Sequence, residues 1–166
     1  MVSQPTVHRW RGVGSMAQVW PVTATNNAGG YSATERPHIL IVTHDPQLNT
    51  FLAEGLLLGG FWTSTVADAI QTLEVFRLRT FDLMLLDASL PGLGALELVR
   101  RLRGRSTRTA PSLPRTDVPI VLIAGGLDEI DPAEAALAGA TRVIFAPIEL
   151  NDIVLRLQAL LACAGA

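Results

Sequence analysis

The sequence predicts an α/β fold, a parallel sheet of five strands with helices on both of its faces. Three observations carry this. Five short apolar, β-rich runs alternate with segments of helical period from His38 onward. Parallel neighbours need crossover connections, and each intervening segment supplies a helix of suitable length. The third observation is the stretch Phe81-Asp-Leu-Met-Leu-Leu-Asp-Ala-Ser-Leu-Pro-Gly92, in which Leu83 to Leu86 is apolar throughout, as a strand buried on both faces requires. That run stops at Asp87, ahead of the turn signal Pro91-Gly92. A carboxylate at the carboxyl end of a buried parallel strand sits where open α/β sheets place their ligands.

Composition bounds the answer. The 166 residues suit one ordinary domain, and 49% apolar content can build its core. A net charge of −2 argues against a nucleic-acid or membrane-surface partner. The lone Cys163 cannot form an internal disulfide, which fits a reducing cytosol and a cytoplasmic protein. No apolar run approaches the roughly 20 residues that span a bilayer. All 13 basic residues are arginine, so no chemistry that needs a side-chain amine is open to this chain.

Residues 1–37 are rich in Ser, Thr, Asn, Gly and Pro, with Glu35 the single acid and no clear period. They are expected to form a disordered N-terminal extension, or upstream sequence before a start at Met16. An arm that docks through Trp10 and Trp20 is the other reading.

The elements follow in order. His38 to Thr43 is the first strand, after which Asp45-Pro46 caps and opens a helix. Leu48, Phe51, Leu52, Gly55 and Leu56 form its inward stripe, and Gly59-Gly60 ends it. Phe61 to Ala67 is the second strand. Asp68 to Arg79 is the second helix, with Ile70, Leu73, Phe76 and Leu78 inward. After the strand ending at Asp87, Leu93 to Arg103 is the third helix and Gly104 to Asp117 a long polar loop. Pro119 to Ala124 is the fourth strand, and Asp131-Pro132 opens a helix that ends near Gly139. Arg142 to Ala146 is the fifth strand, and Leu150 to Ala162 the last helix.

Asp45 after the first strand, Asp87-Ala-Ser-Leu-Pro-Gly92 after the third and Phe145-Ala-Pro147 after the fifth complete a pattern. Residues 38–162 resemble the receiver domain of bacterial response regulators, and the receiver-like domain is set at 38–163. The resemblance implies a flavodoxin-like, doubly wound (βα)5 fold of strand order 2-1-3-4-5. It implies that Asp87 accepts a phosphoryl group from a histidine kinase or phosphotransfer protein. It also implies a Mg2+ site built from Asp45, Asp87 and the backbone carbonyl of Ser89, with His44 beside them. The chemistry asks for such parts, since phosphoryl transfer is mainly positioning and charge neutralisation, and Mg2+ prefers oxygen ligands in octahedral array.

The chain departs from that pattern at four places. His44 stands where the first acid of a pair is expected, and imidazole is a poor Mg2+ ligand. Ala124 replaces a Ser or Thr, Ala146 replaces a Lys, and Val143 replaces an aromatic switch residue. Each lost donor would cost about 10²-fold in rate by analogy with oxyanion-hole deletions. The expected Mg2+ site is accordingly a weakened one.

Simpler roles stand beside these. Asp87 could stabilise its turn, Asp45 only cap its helix, and His44 be a neutral replacement; a transition-metal site of His44, Asp45 and Asp87 is the sharper alternative. Arg100, Arg101, Arg103, Arg105 and Arg108 end the third helix, where cations complement its dipole. Ile153, Val154, Leu155, Leu157, Leu160 and Leu161 exceed one buried stripe, so a homodimer through the fourth and fifth helices is expected. With nothing read beyond Ala166, the expected function is that of an atypical single-domain response regulator, not an enzyme, acting on a downstream protein by contact. A phosphorylation-independent pseudo-receiver or dimerisation module is the alternative. A small flavodoxin-like cofactor- or metal-binding protein is weaker, because Thr43-His-Asp-Pro-Gln-Leu48 carries neither a G-x-G-x-x-G nor a phosphate-binding loop.

Overall fold

The computed structural model describes residues 35–107 and 114–164. Its elements are β1 (His38–Val42), α1 (Pro46–Leu58), β2 (Trp62–Val66), α2 (Ala69–Leu78), β3 (Leu83–Asp87), α3 (Ala95–Leu102), β4 (Ile120–Ala124), α4 (Pro132–Ala138), β5 (Arg142–Phe145) and α5 (Leu150–Ala164). All strand pairs are parallel, in the order β2-β1-β3-β4-β5. This is the flavodoxin-like arrangement.

Strand side chains alternate between two cores. Leu40, Val42, Met84, Leu86 and Leu122 pack with α2, α3 and α4 residues such as Leu73, Leu98 and Ala135. Ile39, Ile41, Leu83, Leu85 and Ile123 pack with α1 and α5 residues such as Leu52, Leu56, Ile153 and Leu157. β3 and β4 are buried at every position, which is why their sequences show no polar alternation. The edge strand β2 is half-exposed. At the α1–α5 seam the helices approach closely because Gly55 and Gly59 lack side chains. A Cβ at position 55 would stand 2.3 Å from a Leu150 methyl, and one at 59 would stand 2.9 Å from a Val154 methyl.

Local chemistry sets the helix ends. Asp45 accepts hydrogen bonds from the Gln47 and Leu48 amides and Pro46 occupies the first turn of α1; Asp131 and Pro132 repeat the device at α4. α3 starts at Ala95 rather than Leu93, because Gly92 and Gly94 hold φ of +76° and +81°, outside helical space. Ile70 and Leu78, expected inward on α2, are exposed, because the inner face of this helix runs through Ala69, Thr72, Leu73 and Phe76 instead. α5 continues past Ala162 to Ala164, and of its apolar surplus Leu155 faces solvent.

The arginines after α3 are largely committed within the domain. Arg103 donates to three backbone carbonyls, Gly139 at 2.9 Å, Thr116 at 2.6 Å and Val118 at 2.7 Å. Burial pushes its guanidinium pKa down, opposed by the nearby Asp117 charge. Arg101 pairs with Glu97 at 3.1 Å and Arg105 donates to the Leu137 carbonyl at 3.0 Å. The Ser106 hydroxyl, aided by Arg101 and Arg100, holds the Glu97 carboxyl below its ordinary range against an opposing desolvation. Arg108, like residues 1–34, lies outside the described residues.

Candidate functional site

Four strand ends converge around Asp87. The register pairs Val42 with Leu86, Asp87 with Ile123, and Ala124 with Phe145. Thr43, Asp87, Ala124 and Ala146 therefore lie at the same carboxyl end of the sheet, and the Ala146 amide donates to the Ala124 carbonyl at 2.8 Å. This is where ligands enter such folds.

Asp87 is 2% exposed, and both of its carboxylate oxygens are engaged. Oδ2 accepts from the Thr43 hydroxyl at 2.7 Å. Oδ1 accepts from the Ser89 amide at 2.9 Å and the Ser89 hydroxyl at 2.6 Å. The amide contact is an Asx-turn, the Asp87 side chain accepting from the amide two residues on. Thr43 is itself held, because its oxygen accepts from the Asp45 amide at 3.1 Å. None of the ion pairs among the described residues involves Asp87. A buried carboxylate is tolerable here because three donors satisfy it locally.

The residues expected to hold a metal have other engagements in this structure. Asp45 Oδ1 is occupied as the α1 cap, and the side chain that faces Asp87 from β1 is Thr43. His44 is exposed, and Ser89 meets Asp87 through its own hydroxyl and amide. Among the described residues no group of three or more His, Cys, Asp and Glu could hold a metal ion. The Asp87 carboxylate already accepts three hydrogen bonds and stands beside the neutral Thr43 hydroxyl, whereas Mg2+ is usually held by one or two carboxylates together with water and phosphate.

On the remaining wall, Ala124 is fully buried and Ala146 half-buried, so neither contributes a donor side chain. The Gly125 amide, which follows Ala124, donates to the Glu129 carboxylate. An anion arriving there would meet an acid of the protein's own. Thr43 is the site residue that sequence reasoning missed.

Comparison with known proteins decides the family. The family model for the response regulator receiver domain matches residues 39–158. The chain belongs to the response regulator receiver family. It is 31% identical over 131 residues to the transcriptional regulatory protein CseB of Streptomyces avermitilis, covering 79% of this chain and 52% of that protein. It is 33% identical over 126 residues to the DNA-binding response regulator MtrA of Mycolicibacterium smegmatis, covering 76% and 51%. The receiver thus spans about half the length of the curated relatives it matches. Among solved structures, the receiver domain of the TMAO respiratory system regulator TorR superposes with a TM-score of 0.63 at 33% identity, over 75% of this chain and 96% of that one. The receiver domain of a Pseudomonas aeruginosa sensor histidine kinase, PA1611, shares the fold at 23% identity and a TM-score of 0.64, over 76% of this chain and 98% of that one. That protein was solved with magnesium coordinated in its active-site cleft. Membership places this chain in two-component signalling, a family of signalling domains rather than enzymes. No helix among its described residues is long and apolar enough to cross a membrane.

Proposed function

We propose that this chain is an atypical cytoplasmic receiver that signals by protein contact without Mg2+-dependent phosphorylation of Asp87. The observation that carries the reading is the Thr43 hydroxyl, 2.7 Å from Asp87 Oδ2, where a second carboxylate would be needed to share a metal. Ala124 and Ala146 add to it, because two groups that would neutralise an incoming phosphoryl are missing. Under this reading Asp87 is a hydrogen-bonding hub that joins β1, β3 and the turn after it. Its upstream contact is a histidine kinase or phosphotransfer protein, and its downstream contact another protein.

Incubation with acetyl phosphate and Mg2+, followed by intact mass measurement, tests the reading against an ordinary receiver treated in parallel. No adduct is expected on this chain. An adduct that disappears in Asp87→Asn restores Asp87 as a phosphoacceptor and overturns the proposal.

A homodimer through α4 and α5 is the second reading. Leu137 and Leu155 are 78% and 61% exposed on those helices, and a recess of about 290 Å³ lies between them, lined by Ala135, Ala136, Val143 and Phe145. Sedimentation equilibrium should then give a dimer mass that Leu155→Arg reduces to the monomer. A monomer at all concentrations would discard this surface as a self-interface.

A further inference from the structure

Of the two sheet edges, β2 and β5, only β5 carries residues that resist pairing with a further strand. It begins at Arg142 and Pro147 follows it. β2 reads Trp62-Thr-Ser-Thr-Val66, uncharged, without proline and built largely of residues that favour strands.

Hydrogen bonds to β1 fix which backbone groups of β2 face outward. The Trp62 amide donates to the Pro37 carbonyl at 2.9 Å, and the Val66 carbonyl accepts from the Thr43 amide at 3.1 Å. Successive residues of a strand in a parallel ladder turn their amide and carbonyl to alternate sides. Trp62, Ser64 and Val66 therefore face β1, while Thr63 and Thr65 turn both groups to the open side. The chain itself closes the ends of this margin. The Phe61 amide donates to the Leu56 carbonyl at 3.0 Å, and the Ala67 amide to the Gln71 side chain at 3.0 Å. The open stretch runs from Thr63 to Thr65.

A second copy of the same strand fits this stretch, because β2 is nearly palindromic about Ser64. Laid antiparallel across a two-fold axis at Ser64, Thr63 of one copy exchanges both backbone hydrogen bonds with Thr65 of the other. Trp62 then lies opposite Val66 in a non-hydrogen-bonded pair, where side chains approach most closely. Threonine pairs and aromatic–β-branched pairs are favourable cross-strand neighbours, and Trp62 is 54% exposed, with ring left to cover. A slip of two residues would set Thr65 against Phe61 or Thr63 against Ala67, whose amides are already used. The two-fold also brings Arg36, 5.3 Å from the centre of the Trp62 ring, to the end of the other strand where Asp68 stands. Charge complements shape there.

We propose that the β2 edges of two copies pair antiparallel and join their sheets into one. An isologous contact of this kind closes at the dimer. The two Asp87 ends then point in opposite directions, so neither copy covers the site of the other. The inference is independent of whether Asp87 takes phosphate.

Full-length variants test it. Thr65→Pro removes an amide that the ladder with β1 does not use, a position where an edge strand tolerates proline. By symmetry two hydrogen bonds are lost, so the dimer dissociation constant in sedimentation equilibrium should rise about tenfold or more. Ser64→Cys with Cys163→Ser sets a thiol on the two-fold axis, about 4.5 Å between Cα atoms and within the range a disulfide spans. Oxidation should cross-link that chain as a dimer. Thr65→Cys with Cys163→Ser should not cross-link, because position 65 stands opposite 63. Leu155→Arg should leave the dimer intact, which separates this edge from the α4–α5 surface. Should Thr65→Pro fail to fold, the two cysteine chains decide alone. A chain monomeric at all concentrations overturns the proposal. So does a dimer that folded Thr65→Pro leaves unchanged, that Leu155→Arg dissolves, or that Ser64→Cys fails to cross-link.

Discussion

Replacing Arg103 with methionine should lower the unfolding free energy by about 2–4 kcal/mol, because three charge-assisted hydrogen bonds vanish at once and each is worth about 1.5–3 kcal/mol before the carbonyls rehydrate. The side chain leaves α3 and grips three separate pieces of backbone: the end of α4 at Gly139, the loop at Thr116, and Val118 just before β4. Methionine keeps most of the stem's packing, so the loss reports the guanidinium rather than a cavity. Arg103→Lys should recover only part of it, since an ammonium cannot present donors in three fixed directions. In thermal melts the methionine variant should fall by about 10 °C, the scale expected for such a loss in a domain of this size. A change below about 0.5 kcal/mol, the range of ordinary surface substitutions, would show that water replaces the arginine without penalty.

Thr43→Asp should make the stability of the domain respond to Mg2+. The new carboxylate would stand against Asp87 in a buried position, since Thr43 is 4% exposed and now touches Oδ2. Two like charges about 4 Å apart repel by about 4 kcal/mol at an effective dielectric of 20. The variant should therefore be destabilised by about 2–4 kcal/mol in chelator, with protonation of one acid limiting the damage. A divalent cation reverses the sign of the pair interaction. At a concentration tenfold above its dissociation constant, Mg2+ should return about 1.4 kcal/mol. The unmodified domain should melt at the same temperature with and without Mg2+. If it rises by a comparable margin instead, the Thr43 hydroxyl is not what closes the site, and the reading of Asp87 as a metal-free hub is wrong.

The fold was legible because hydrophobic period and punctuation agreed. Leu83 to Leu86 and Ile120 to Ile123 show no polar alternation and are buried on both faces. Asp45-Pro46 and Asp131-Pro132 mark helix starts through a mechanism that depends on few neighbours. Helical faces were less legible. Leucine at position 78 looks like core in a list of residues, yet two residues past Phe76 it falls on the outer side. At the site, Asp87 was readable from its own strand, but its partner was not. Asp45 drew attention as the nearest acid, and its Oδ1 caps α1. The available signal was a count: Leu86 is the last apolar residue before Asp87, and Val42 is the last before Thr43. Parallel strands in register bring those two successors together. The role of the Ser89 hydroxyl had no comparable signal, since rotamer choice in a turn is not written in spacing.

The seam between α1 and α5 constrains how this sequence can drift. Position 55 has no room for a methyl while Leu150 keeps its present pose, and position 59 has none while Val154 keeps its own. A leucine tip can swing aside, but valine is stiff at its first torsion, so the second pair gives less. Residues at 55 and 150, and at 59 and 154, are therefore expected to change in concert, bulk gained on one helix being surrendered on the other. Library selection that randomises these four positions together should recover far more folded chains than single-site scans would suggest.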